Sequence, residues 1–153
     1  MYLQNFLAAL GTALAFASHT AAQTAPDKPF REPPPDRAIR TGTVSGKLLA
    51  FQWGDYLHLA VRTRSGEEKW FFVDHHCLTY FLPLHHHKTI ALHYRVLDRY
   101  VPEAAGMQRM EAAFDASVDG QKCTDWMRGQ RATKSHAQID EEFEPLFKKY
   151  LRE

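Results

Sequence analysis

Apolar and polar positions alternate through the middle of the chain with the two-residue period of half-buried strands. The clearest case is Gly54–Val73, GDYLHLAVRTRSGEEKWFFV. Within Tyr56–Arg64, Leu57, Leu59, Val61 and Thr63 share one face, while Tyr56, His58, Arg62 and Arg64 share the other, with Ala60 between them. Ser65–Gly66 supplies a turn, and Glu67–Val73 returns with dense aromatic content in Trp70, Phe71 and Phe72. This is a β-hairpin, and the segments on either side add strands to it. Before it, Thr41–Trp53 reads as a long strand whose Gly46 predicts a bulge or sharp bend. After it, Thr89–Val101 sets Ile90, Leu92, Tyr94 and Val96 against Ala91, His93, Arg95 and Leu97. Pro102–Gly106 turns the chain, and Met107–Val118 puts Met110, Ala112, Phe114 and Ala116 on one side.

Two stretches depart from that period. In Asp74–Leu84, Cys77 and Phe81 are four apart, as are Leu78 and Leu82; Asp74 is a helix N-cap residue and Pro83 discourages continuation. A short helix is expected there. Asp140–Leu151 carries the stripe Phe143, Leu146, Phe147, Tyr150 and Leu151, with Pro145 accommodated in a first turn. That helix is expected to pack on the strands rather than on a partner. The chain between Cys123 and Asp140 is polar, carries Gly129, and reads as loop.

The order is strand, strand, strand, short helix, strand, strand. That is the arrangement of an OB-fold, a mainly β, five-stranded, partly open barrel with a helix plugging one end between strands three and four. An SH3-like barrel lacks the helix, and a split α/β domain wants a longer one. The glycine-interrupted first strand fits a strand that pairs with both halves of the sheet. The barrel is expected over 41–125, and a polar loop with an amphipathic helix over 126–153.

Upstream, Phe6–Ala17 is a short apolar run and Thr20-Ala21-Ala22 offers small residues for cleavage before Gln23, with a second choice after Ala17. Residues 1–22 therefore read as a signal peptide, although no Lys or Arg precedes the run. Spanning a bilayer takes roughly 20 apolar residues, more than this stretch holds. Residues 23–40, with Pro33-Pro34-Pro35, read as an extended linker. Cys77 and Cys123 are the only cysteines; in an exported chain without CxxC they are expected to join, tying the helix to the end of the last strand.

Charge narrows the function. Lys plus Arg (19) nearly cancel Asp plus Glu (18), which disfavours tight binding to a nucleic-acid backbone. The outward row Tyr56, His58, Arg62 and Arg64, joined by Trp70, offers stacking, cation–π and anion contacts on the strands where OB-folds bind ligands. A protein or small-ligand partner suits it better than nucleic acid. Asp98–Glu103 closes strand four; its simplest reading is a local ion-pair network of Arg99 with Asp98 and Glu103, and its functional one makes Arg99, Tyr100 and Glu103 part of a recognition edge. Five of the nine histidines bracket the short helix: His75, His76, His85, His86 and His87. Imidazole suits zinc and copper, but adjacent side chains diverge, so weak affinity and no dedicated cofactor are expected. No GxSxG or HExxH spacing accompanies them, and adjacency of His76 and Cys77 is not a dyad, so no enzyme is expected.

The run GTVSGKLLAFQWGDYLHLAVRTRSGEEKWFFV and the later HYRVLDRYVPEAAG resemble the small exported OB-fold proteins of Gram-negative bacteria, many of them domains of unknown function. The likeness covers about Thr41–Val118 and rests on the Gly-Asp-Tyr and Ser-Gly-Glu turns and the Tyr-Val-Pro-Glu-Ala segment. It implies a periplasmic β-barrel and transfers no catalytic residue. The expected function is non-catalytic binding at the envelope, periplasmic or secreted. The alternative is a metal-stress accessory role for the histidines of 75–87.

Overall fold

The long first strand, β1 (Arg37–Trp53), is the element on which the others pair. The computed structural model describes residues 32–152, so the expected signal peptide and the linker as far as residue 31 lie outside the described residues. β1 begins inside the stretch read as linker because its first residues find a partner far along the chain, Arg37 opposite Asp98 and Arg40 opposite Val96. β2 (Leu57–Thr63) and β3 (Glu68–Val73) form the expected hairpin. α1 (Cys77–Leu84) follows, then β4 (Ile90–Val101), a 3-10 turn over Pro102–Ala104, and β5 (Gly106–Val118). The chain ends in a two-residue β6 (Gln121–Lys122), α2 (Cys123–Thr133), α3 (His136–Lys148) and a two-residue β7 (Leu151–Arg152).

Five strands close into a ring in the order β1-β2-β3-β5-β4 and back to β1. All contacts in it are antiparallel except β3 with β5, which meet in parallel through Phe72–Ala112 and Val73–Ala113. Closure depends on Gly46, which pairs with both Thr63 of β2 and Ile90 of β4. A Cβ there would sit 2.4 Å from the Arg62 carbonyl oxygen, so the residue is glycine for close approach of two backbones. The expected bulge is displaced: in β1 the register slips between Leu48 and Ala50, and between Ala38 and Arg40.

Inside the ring lie Leu48, Phe51, Leu59, Val61, Phe71, Ile90, Leu92, Ala113 and Ala116. α1 covers this core, and its residues from Cys77 to Pro83 are all buried. A helix apolar on every side needs cover on every side. α2 and α3 provide it through Met127, Ile139 and Phe143. α2 falls where a loop was expected: Cys123, Trp126, Met127 and Gln130 recur at helical spacing, and the exposed Gly129 did not interrupt it. α3 starts four residues earlier than expected, at a capping box in which Ser135 accepts from the Gln138 N–H. Pro145 lies well inside α3 rather than in its first turn, and Leu151 leaves the helix to pair with Phe51 of β1.

The N-cap role expected of Asp74 also fails. His76 occupies that position with no side-chain cap, while the Cys77 N–H donates to His75 Nδ1 at 3.2 Å. Asp74 is drawn instead to two arginines of β4: Arg99 at 2.9 Å and Arg95 at 3.3 Å. The cysteines are joined, Cys77 to Cys123, linking the first residues of α1 and α2. Among the described residues no helix is long and apolar enough to cross a membrane.

Candidate functional site

Two concave regions gather chemistry. The first follows from the pleat. With Leu59, Val61 and Phe71 directed into the core, their neighbours His58, Arg62, Trp70 and Phe72 stand on the outer face. His58 lies opposite Phe72 and packs on its ring at 4.4 Å, and Tyr56 meets the same ring edge-on at 6.0 Å. Beside them a second apolar cluster unites Leu97 and Val101 of β4 with Met110 and Ala112 of β5. The result is a groove of about 300 Å³ floored by Phe72, Val101 and Met110 and rimmed by Asp55, Tyr56, His58, Gln108 and Arg109. β3 reaches β5 only at Ala112 and Ala113, so among the described residues the edge of β5 from Gly106 to Glu111, on the side away from β4, carries no partner strand.

The expected recognition residues divide. Tyr56 and His58 line the groove. Arg62 and Arg64 are further along β2 and border a separate cleft of about 170 Å³ with Lys47 and Thr89. Trp70 is outward and part-exposed, with the Arg152 guanidinium 5.9 Å over its ring. Glu103 is exposed in the 3-10 turn, and Tyr100 is half-buried opposite Met107. Arg99 is a correction: it pairs with neither Asp98 nor Glu103. Its guanidinium donates to both oxygens of Asp36, at 3.1 Å to Oδ1 and 2.6 Å to Oδ2, and to Asp74, clamping the start of β1 and the end of β3 onto β4. Those hydrogen bonds hold the Asp36 carboxyl below the usual range and make Arg99 a stronger base than usual. Asp98 pairs with Arg109 at 3.1 Å. Sequence reasoning missed Phe72, Val101, Gln108, Arg109 and Met110 as groove residues, having placed Met110 on one side with Ala112, Phe114 and Ala116.

The second region is a cleft of about 360 Å³ between α1, α3 and the β1–β2 turn, lined by Trp53, Leu57, His76, Tyr80, His136, Asp140 and Glu144 among others. A chain of hydrogen bonds crosses it. Tyr80 donates its hydroxyl proton to Asp140 Oδ1 at 2.5 Å, which leaves the His76 Nε2–H to donate to the Tyr80 oxygen at 2.7 Å. His136 Nδ1 meets the other carboxylate oxygen at 2.7 Å. The Tyr80 hydrogen bond first, and His136 after it, hold the Asp140 carboxyl below its ordinary range. Burial and Asp140 together make the Tyr80 phenol harder to ionise, and burial lowers the His76 imidazole.

The five bracketing histidines do not act as a set. His75 accepts from the backbone, His85 packs on Phe81 at 4.5 Å, His86 bonds the Pro83 carbonyl at 3.0 Å, and His87 lies edge-on to His86. His75 and His76 are at one end of α1 and His85, His86 and His87 at the other. Among the described residues, the groups able to offer three ligand atoms to one ion are His76–His136–Asp140 and Cys77–Asp115–Cys123, and the latter cysteines are already bonded to each other. His136 and Asp140, one turn apart on α3, were not singled out in the sequence. Compared with protein-family models, with curated proteins and with solved structures, the chain matches none.

Proposed function

We propose that this chain is an exported, non-catalytic binding protein of the OB-fold type, acting in the periplasm on an extended segment of another envelope protein. The strand order β1-β2-β3-β5-β4, with a helix between β3 and β4, is what the OB-fold reading rests on. Export is supported by the apolar run Phe6–Ala17 and by the joined cysteines.

The observation that carries the binding reading is the apolar groove beside the unpartnered edge of β5. An extended segment laid along Gly106–Glu111 gains main-chain hydrogen bonds, and its alternate side chains enter the groove over Phe72, Val101 and Met110. The test is a photoreactive residue in place of exposed Gln108, carried by the full chain in a Gram-negative host. A discrete protein adduct is expected, weakened at least about tenfold when Tyr56 and His58 are both alanine, a loss of about 1.4 kcal/mol. The same probe at exposed Lys47, on the other cleft, should not give it. No adduct at Gln108, or the same adduct at Lys47, overturns the reading.

A further inference from the structure

The cleft between α1 and α3 holds a donor set that the groove does not use. His76 is the residue before α1, and His136 is the first residue of α3. Both are held at rigid helix starts: the disulfide fixes Cys77 beside the first, and the Ser135–Gln138 capping box fixes the second. Their imidazoles lie parallel, 4° apart in plane and 6.3 Å between centroids. One ligand atom each from His76, His136 and Asp140 falls within 4.8 Å of the others. Tetrahedral zinc with bonds of about 2.0–2.1 Å holds its ligand atoms about 3.3 Å apart. Closing that difference takes a rotation of His136, whose side chain is 70% exposed and already meets Asp140 at 2.7 Å.

We propose that His76, His136 and Asp140 bind one divalent ion of the zinc class, bridging α1 to α3. Two imidazoles are borderline donors, so with one carboxylate they match zinc in preference to calcium or magnesium, which want oxygen alone. Tyr80 becomes the outer partner that orients Asp140, a role its hydroxyl already fills by donating to Oδ1. The positive ends of two helices oppose a cation here. Asp140 offsets them, with Glu144, one turn further along α3 and on the wall of the same cleft. Three protein ligands leave the fourth position facing the cleft, open to water or Glu144.

The competing account of the same geometry is a hydrogen-bonded tether between the helices that needs no ion. Titration of the untagged full chain with zinc chloride against a chromophoric chelator separates the two. One zinc per chain is expected, with a dissociation constant on the order of a micromolar, and a rise of several degrees in melting temperature with saturating metal. Substituted for zinc, cobalt(II) should give the intense visible band of a low-coordinate nitrogen–oxygen site. His76→Gln and His136→Gln should each weaken zinc binding at least tenfold, whereas His86→Gln with His87→Gln should leave it unchanged. Because His136 is exposed, its variant retains the fold, as far-ultraviolet circular dichroism would verify. Millimolar affinity in the parent chain, affinity untouched by both single variants, or a loss confined to the His86 and His87 variant would overturn the proposal.

Discussion

Gly46→Ala tests ring closure at one atom. Gly46 is the residue of β1 that pairs with both β2 and β4. Its φ is not among the left-handed values, so alanine is not strained by backbone conformation there. The whole effect is spatial. The added Cβ would stand 2.4 Å from the Arg62 oxygen and 2.5 Å from Val61 Cγ1, and must recede to at least 3.0 Å from a β2 backbone that is itself hydrogen-bonded to β3. Overpacking of this kind costs about 1–3 kcal/mol. Stretching the ladder bonds beside Thr63 adds about 1 kcal/mol. The smaller entropy of an unfolded alanine returns about 0.4–1 kcal/mol to the other side. A net loss of about 1–3.5 kcal/mol follows, moving the urea midpoint down by roughly 1–2 M at an ordinary slope for this size. The assay is urea unfolding followed by tryptophan fluorescence with the disulfide intact. Gly42→Ala is the internal comparison. Its Cβ would meet the Tyr94 ring at 2.5 Å, but the atoms met are the far end of a half-buried side chain. That ring can swing aside, so the cost should stay below about 1 kcal/mol. A Gly46→Ala variant within about 0.5 kcal/mol of the parent, or less damaged than Gly42→Ala, would refute the reasoning.

Two further outcomes follow from the helical cover. Replacing both Cys77 and Cys123 by alanine opens a link spanning 46 residues, which should cost roughly 4 kcal/mol in urea unfolding by the chain-entropy account; a loss below about 1 kcal/mol would mean the loop is already constrained without it. His85 packs on Phe81, and burial first, then Lys88 and His87, lower its imidazole below the ordinary value, with Asp119 opposing them. The neutral ring is therefore favoured by folding, and its contribution is present above about pH 6.5 and lost as pH falls through the unfolded value toward the lower folded one. His85→Gln should flatten that acid-side loss by a few tenths of a kcal/mol, since the ring is part-solvated, and an unchanged slope between about pH 7.5 and 5.5 would count against the assignment.

What the sequence disclosed was whatever a local period carries. The Leu57–Val73 hairpin was legible because alternation, the Ser65–Gly66 turn and β-branched content all agreed, and β2 and β3 follow it within a residue. Asp74 carried a sound local signal that lost to partners 21 and 25 residues away, Arg95 and Arg99, whose charge no capping rule consults. Arg99 was misassigned for the same reason, since Asp36 is 63 residues distant and stood in a stretch read as linker. α2 hid because Gly129 reads as a breaker, yet it is an exposed position where glycine costs only about 1 kcal/mol relative to alanine. The cleft cluster was legible only in part, as His136 and Asp140 one turn apart. Their partner His76 lies 60 residues before His136, and only the packing of α1 under α3 brings it there.

The groove was hidden by the device that builds it. Between His93 and Tyr94 of β4 the register with β5 slips, so that Asp115 and Ala113 are paired and Phe114 is the extra residue. Phe114 is squeezed out of the alternation to lie under the Arg95 guanidinium at 4.9 Å. Every side chain on one side of the bulge changes face. Ala116 and Val118 enter the main core as even-numbered positions, whereas Ala113 enters it as an odd one. Met110 and Ala112, which unbroken alternation would send inward with Ala116, are turned outward onto Leu97, Val101 and Phe72. A regular β5 would therefore enlarge the core and leave the outer face polar. One inserted residue instead moves a methionine and an alanine across the sheet and creates an apolar surface beside an open strand edge, which is what a binding groove requires.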